Sequence, residues 1–346
     1  MSLIVIVEFT PEMKTQKDTK MQKNFSKIIQ DGMWGLAVGD AAGVPYEFQA
    51  RGCVDKEHFT MIGYGTHMQP IGTWSDDTSM TLCLMDSLST SLKKQTIDYK
   101  DIMYKFNSWI TTGQYSAHGA AFDIGNTILN ALLRFQTGAN ALECGGSSER
   151  ENGNGGIMRA FPLAFIEVRH IGAISKKEII HNVTKLTHAH PISIIGSGIY
   201  CSILKTLIEK PAHENLMSSL KNEIYKKYQE YLNDNEYKNY VLNYSRLIDI
   251  ESFVRLPEKE ISSKGYVVDT LEWALWCFLN TNSYKECISL AVSLGGDTDT
   301  IGSIAGTMAG LHYGKEGIPR EWLFKLKSKS LIESISAKYS KIITNL

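Results

Sequence analysis

Three glycines spaced four residues apart inside an apolar helix constrain this chain more than any other feature. The apolar residues Ile301, Ile304, Ala305, Met308 and Ala309 fall at i, i+3, i+4, i+7 and i+8, one face of an α-helix. Another face of the same helix carries Gly302, Gly306 and Gly310. Each glycine costs about 1 kcal/mol relative to alanine in a helix interior, so three in register signal close approach of a neighbouring backbone. This helix therefore belongs at the centre of the fold. Gly35, Gly39 and Gly43 repeat the spacing near the N-terminus and permit tight helix packing there too.

Helical periodicity runs through most of the remaining chain. Val267, Val268, Leu271, Ala274, Leu275, Phe278 and Leu279 form one wide apolar face, and similar patterns cover 25–39, 78–91, 120–135, 157–168, 175–188 and 192–208. No run of period-two alternation is flanked by hairpin turns, so the pattern predicts an all-α fold. Residues 142–156, rich in Gly, Ser, Asn and Glu, read as a loop entering a helix. Residues 211–264 are polar, rich in Lys, Glu, Asn and Tyr, and read as a peripheral helical insertion. No second core composition is visible, so residues 23–346 form a single domain carrying that insertion. Residues 1–22 read as a leader, poorly ordered or peripheral. The apolar run Leu3–Val7 has no basic residue before it, which argues against a secretory signal.

Charge narrows the partners. The 346 residues hold 36 Lys and Arg against 37 Asp and Glu, a net charge of -1. A balance of this kind argues against nucleic acid and against a polybasic membrane surface. Pro191–Leu204, the longest apolar run, falls short of the roughly 20 residues of a membrane span. Six scattered cysteines never form a Cys-x-x-Cys pair, which fits reduced thiols and a cytoplasmic setting.

Within that balance the acids cluster. Ser75, Asp76 and Asp77 sit at the start of a predicted helix, as do Asp297, Asp299 and Thr300 after two glycines. Helix capping explains one acid in each cluster well but explains a Ser-Asp-Asp-Thr run poorly. Burying adjacent carboxylates without a cation costs several kcal/mol. Carboxylates and hydroxyls without Cys suit Mg²⁺ or Mn²⁺ rather than zinc. Two such clusters facing each other could hold two cations. A third element, Gly35–Phe48, ends its helix at Pro45 and leaves Glu47 on a turn, where spacing alone reads it as solvated.

Taken together, these elements resemble the ADP-ribosylglycohydrolase family, also called the dinitrogenase-reductase-activating glycohydrolase family. Four further blocks are similar to family blocks and stand in family order: His118–Thr127, Gly153–Arg159, Thr187–Pro191 and Gly265–Thr270. The resemblance spans about 25–325 outside the insertion. It implies a compact orthogonal helical bundle with a binuclear Mg²⁺ or Mn²⁺ centre in a central cleft. By position the implied ligands are Glu47, Ser75, Asp76, Asp77, Asp297, Asp299 and Thr300. Where Ser75 stands the family often has Thr, and either supplies a hydroxyl. The implied activity is release of ADP-ribose from an ADP-ribosylated protein or small conjugate. Asp123 and Asn126 match the block beside the distal ribose in the dinitrogenase-reductase-activating members, which favours an arginine linkage.

In that chemistry, two cations grip vicinal ribose hydroxyls and hold a water, and Glu47, Asp77 or Asp123 takes a proton. The remaining blocks suit the rest of the ligand. Gly153, Asn154, Gly155 and Gly156, ahead of Met158, offer backbone N–H groups to a pyrophosphate, or else form a loop capped by Asn154. Arg159 pairs with phosphate, pairs with a structural carboxylate, or stands on a solvated helix face. His188 lines the cleft or is a structural histidine, and Tyr266 stacks on adenine or belongs to the core. Two other readings compete with hydrolysis of an ADP-ribosyl bond. One is a catalytically silent ADP-ribose-binding or crystallin-like member of the fold, and the other is a two-metal phosphoesterase.

Overall fold

A computed structural model describes residues 11–167, 171, 174–209 and 215–345. Residues 1–10 of the expected leader lie outside the described residues, whereas the backbone of 11–22 continues the first helix. In chain order the α-helices are α1 (Pro11–Gly43), α2 (Asp76–Ser91), α3 (Tyr99–Thr112), α4 (Asn126–Gln136), α5 (Lys176–Lys185), α6 (Pro191–Glu209), α7 (Leu216–Leu232), α8 (Ile250–Val254), α9 (Val267–Leu279), α10 (Tyr284–Ser293), α11 (Thr298–Tyr313), α12 (Arg320–Lys325) and α13 (Lys329–Asn345). Short 3₁₀ turns join them, and among the described residues β-structure is limited to three isolated bridges. The fold is all-α.

The two glycine stripes meet each other. A Cβ on Gly35 or Gly39 would run into the carbonyl oxygen of Gly306 or Gly302, and one on Gly310 would lie 2.5 Å from the Asp31 carbonyl. At the end of the contact, a Cβ on Gly43 would lie 2.5 Å from the Cα of Asp299. α1 and α11 thus pack backbone to backbone, which glycine alone permits. The result is positional: the C-terminus of α1, which leads into Glu47, lies against the N-terminus of α11, which carries Asp299 and Thr300. Thr298 Oγ1 donates to the Gly43 carbonyl at 2.8 Å and fixes the register.

Around this pair the core is built from α2, α6, α9, α10 and α13. α6 is long and apolar enough to cross a membrane by length and composition, so the expectation that this run is too short does not hold for the helix as formed. However, 83% of its most apolar stretch is buried inside the protein, as a core helix requires. Of the helix expected over 157–168, the described residues 157–167 form no α-helix. Pro162 has no N–H to continue a helical ladder, and the segment makes 3₁₀ turns, Phe161–Phe165 among them. The helix expected over 120–135 begins only at Asn126, leaving residues up to Gly125 as an irregular loop.

The polar segment after 215 is tied to the core by tyrosines. α7 buries Leu220, Ile224, Tyr228 and Tyr231 at helical spacing. Tyr231 Oη lies 2.9 Å from His181 Nε2 of α5, and the Tyr244 hydroxyl donates to the Ile192 carbonyl of α6 at 2.8 Å. Burial holds the His181 imidazole down to about 3, so it sits there neutral. All six cysteines are unpaired thiols, five of them buried.

Candidate active site

Three chain segments deliver the acids to one point. Pro45 ends α1, a 3₁₀ turn follows at Val44–Tyr46, and Glu47 emerges extended. α2 begins at Asp76 with Ser75 as its cap, the Ser75 hydroxyl accepting from Asp77 N at 3.4 Å. α11 begins at Thr298, after a loop whose Gly296 pairs with the segment after Glu47: Phe48 N donates to the Gly296 carbonyl at 2.7 Å and Gly296 N to the Gln49 carbonyl at 2.9 Å.

The carboxylates converge. Oxygens of Glu47, Asp297 and Asp299 lie within 4.8 Å of one another, as do those of Asp76, Asp123 and Asp299. Asp299 belongs to both groups and joins them. Thr300 Oγ1 donates to Asp77 Oδ2 at 3.1 Å and Ser75 Oγ to the same oxygen at 3.3 Å, so both implied hydroxyl ligands stand beside Asp77. Glu47, Asp76, Asp77, Asp299 and Thr300 are buried. Among the described residues no Lys or Arg ion-pairs with any of these acids; His67, bonded to Glu47 through Nε2 and 3.8 Å from Asp123 Oδ1, is the nearest base.

Burial has the expected electrostatic effect. Loss of water, with neighbouring carboxylates second, pushes Asp76, Asp77 and Asp299 well above the usual carboxylate range. Burial likewise lifts Glu47 to about 7 against the bond from His67. Asp77 Oδ1 and Asp299 Oδ2 are buried with no hydrogen-bond partner at all. An orphaned, desolvated carboxylate oxygen costs several kcal/mol, a cost that a cation beside it would remove. The donor set of carboxylates and hydroxyls fits hard divalent ions.

A cleft of about 220 Å³ opens onto these acids. Among the residues lining it are Glu47, Phe48, Asp76, Asp123, Asn126, Gly153, Asn154, Gly155, Met158, His188, Asp297 and Thr300. A larger groove of about 810 Å³ lies between α3 and α4, but its one carboxylate, Asp98, is spent capping α3. Asn154 does not cap a helix. Its amide donates to Asp297 Oδ2 at 2.7 Å and to Thr270 Oγ1 at 3.1 Å, clamping the glycine turn to the acid cluster.

The expected phosphate end is partly redrawn. Residues Asn154–Gly156 form a 3₁₀ turn with no α-helix behind it, so no helix dipole supports a pyrophosphate there. Arg159 does not reach the cleft. It is fully buried, donating to the carbonyls of Gly155 and, at 3.1 Å, Val183, and to Thr187 Oγ1 at 2.7 Å, with Phe106 5.2 Å away. Burial holds its guanidinium down to about 9. Its role is to brace the glycine turn from behind. Gly156 is buried behind the lining, and Tyr266 is half-buried outside it, bridged to Gly153 through its backbone. His188 does line the cleft, buried against Gly155, with burial holding it neutral, down to about 3.

Two residues at the site carried no signal in their own spacing. Asp40 of α1 is fully buried: Oδ1 accepts from Ser75 N at 2.8 Å, and Oδ2 from Thr78 N at 3.0 Å and Thr78 Oγ1 at 2.6 Å. It caps α2 from another helix. His67 meets Glu47 from a 3₁₀ turn, Gly65–His67, about 20 residues on.

A sequence model of the ADP-ribosylglycohydrolase family matches residues 21–345. The chain belongs to the ADP-ribosylglycohydrolase family. Its relatives include the ADP-ribosylarginine hydrolase Tri1 of Serratia proteamaculans, 32% identical over 87% of this chain and 76% of that protein. The ADP-ribosyl-[dinitrogen reductase] glycohydrolase of Rhodospirillum rubrum is 29% identical over 85% and 88%. A solved structure described as an ADP-ribosylglycohydrolase-related protein complex superposes with a TM-score of 0.72 at 26% identity, covering 92% of this chain and 99% of that one.

Proposed function

We propose that this ADP-ribosylglycohydrolase hydrolyses the bond between ADP-ribose and an acceptor side chain, with arginine-linked conjugates favoured, and depends on two Mg²⁺ or Mn²⁺ ions. The observations that carry the reading are two orphaned oxygens: Asp299 Oδ2, on the residue common to the two acid groups, and Asp77 Oδ1, on the carboxylate that Thr300 and Ser75 bond. Glu47, Ser75, Asp76, Asp77, Asp297, Asp299 and Thr300 would hold the ions, which when bound supply Lewis acidity toward ribose hydroxyls and water.

The chain's own residues do the rest. Asn154 orients Asp297, and Asp40 orients Ser75 and the first turn of α2, which carries Asp76 and Asp77. Asp123 and Asn126 present polar groups to the ligand from the start of α4. Glu47, buried at the cleft and joined to His67, is placed to accept a proton and pass it on toward solvent. Neutral His188 offers hydrogen bonding without repelling a sugar or attracting a stray anion. An arginine linkage is favoured because the Serratia relative above is named for acting on ADP-ribosylarginine.

The test is incubation with arginine-, serine- and acetyl-linked ADP-ribose, with and without chelator. Free ADP-ribose should appear fastest from the arginine conjugate and cease on chelation. Full turnover after chelation would refute the metal dependence. AMP as a product would indicate a phosphoesterase, and ligand binding without turnover a silent member of the fold.

A further inference from the structure

The cleft lining divides into two kinds of chemistry. Gly153, Gly155, Met158 and neutral His188 are uncharged, whereas Glu47, Phe48 and Asp123 combine carboxylates with an aromatic ring. Phe48 is the anomaly. It follows a buried acid directly and lines the cleft, yet it is 68% exposed. Its φ of 61° is left-handed, a conformation that disfavours a bulky side chain. Hydrogen bonds on either side, Phe48 N to the Gly296 carbonyl at 2.7 Å and Gly296 N to the Gln49 carbonyl at 2.9 Å, hold that backbone in place. The backbone so held presents a mostly exposed phenyl ring to the cleft.

Other rings support it. The His67 ring lies 6.1 Å from Phe48, and Phe122, the residue before Asp123, lies 5.4 Å from His67. One side of Phe48 is thereby backed while most of its surface remains open. An open aromatic face beside carboxylates is the environment that recognises a planar cation, whose charge meets the ring face while the acids take its N–H groups.

We propose that Phe48 is the platform on which the guanidinium of the acceptor arginine rests next to the bond to be cleaved. The proposal rests on the arginine-linked reading above and makes Phe48 a specificity-determining residue.

The test compares wild type with Phe48→Tyr, Phe48→Leu and Phe48→Ala in the metal-loaded protein. Steady-state kinetics on ADP-ribosylarginine are paired with the calorimetric affinity for ADP-ribose, which lacks the guanidinium. Loss of a cation–π contact corresponds to roughly a tenfold rise in KM for the Leu and Ala variants, with kcat little changed. Phe48→Tyr keeps the ring face and should retain the wild-type KM within about twofold. ADP-ribose affinity should be the same in all four proteins. A Leu variant as good as wild type would reduce Phe48 to bulk and overturn the proposal. So would a parallel loss of ADP-ribose affinity, which would put the ring under the nucleotide. If wild type fails to turn over ADP-ribosylarginine, the arginine reading falls and the platform with it; normal wild-type turnover with unaltered variants removes the platform alone.

Discussion

At the scale of single residues, the site depends on a carboxylate that does not line the cleft but caps the helix that begins with Asp76 and Asp77. Asp40 satisfies the backbone N–H groups of Ser75 and Thr78 and the Thr78 hydroxyl, all buried. Burial pushes it up to about 7, and the three donors pull the other way. Replacing it with alanine leaves those donors unpaired in a dry interior, a loss of about 2–4 kcal/mol. Asp40→Ala should therefore lower the urea midpoint, and it should also weaken Mn²⁺ binding because the turn carrying Asp76 and Asp77 loses its anchor. An unchanged midpoint would show that water replaces the carboxylate at no loss. Asp40 was not legible from sequence. Its partners lie some 35 residues away, and an acid at that spacing on an apolar helix looks no different from a solvated one. The clustered acids were legible, because Ser75–Asp77 and Asp297–Thr300 are each contiguous and each precede a helix.

At the scale of elements, the α1–α11 contact determines how far apart the two halves of the acid cluster stand. Alanine is favoured over glycine by about 1 kcal/mol in a helix. Gly302→Ala should nevertheless destabilise the protein by about 2 kcal/mol or more, because its Cβ meets the Gly39 backbone. The sign separates the two effects in a thermal melt: a stabilised variant would mean that the helices can part without loss. Both glycine stripes were evident in the sequence, but their pairing was not, since spacing within a helix does not name its partner. Elsewhere periodicity failed for identifiable reasons. The apolar pattern over 157–168 ignored Pro162, and the polar look of α7 hid tyrosines that bury like hydrophobes while their hydroxyls find partners. Arg159, placed by a family block, is drawn inward by three oxygen acceptors.

At the scale of the whole molecule, a chain of nearly balanced charge concentrates its imbalance at one point. Glu47, Asp76, Asp77, Asp297 and Asp299 are gathered where the two central helices and α2 begin or end, and among the described residues no Lys or Arg ion-pairs with them. Removing the cations should leave the fold carrying mutually repelling, desolvated carboxylates, so the chelated protein should melt at a lower temperature than the loaded one. Calorimetric titration of the chelator-stripped protein with Mn²⁺, followed by a thermal melt at each ratio, reads both effects at once. Two ions should bind per chain, the melting temperature should climb with occupancy, and binding should weaken in Asp299→Ala, the residue common to both acid groups. A stripped protein that takes up no Mn²⁺ and melts at the same temperature with or without it would overturn the binuclear site.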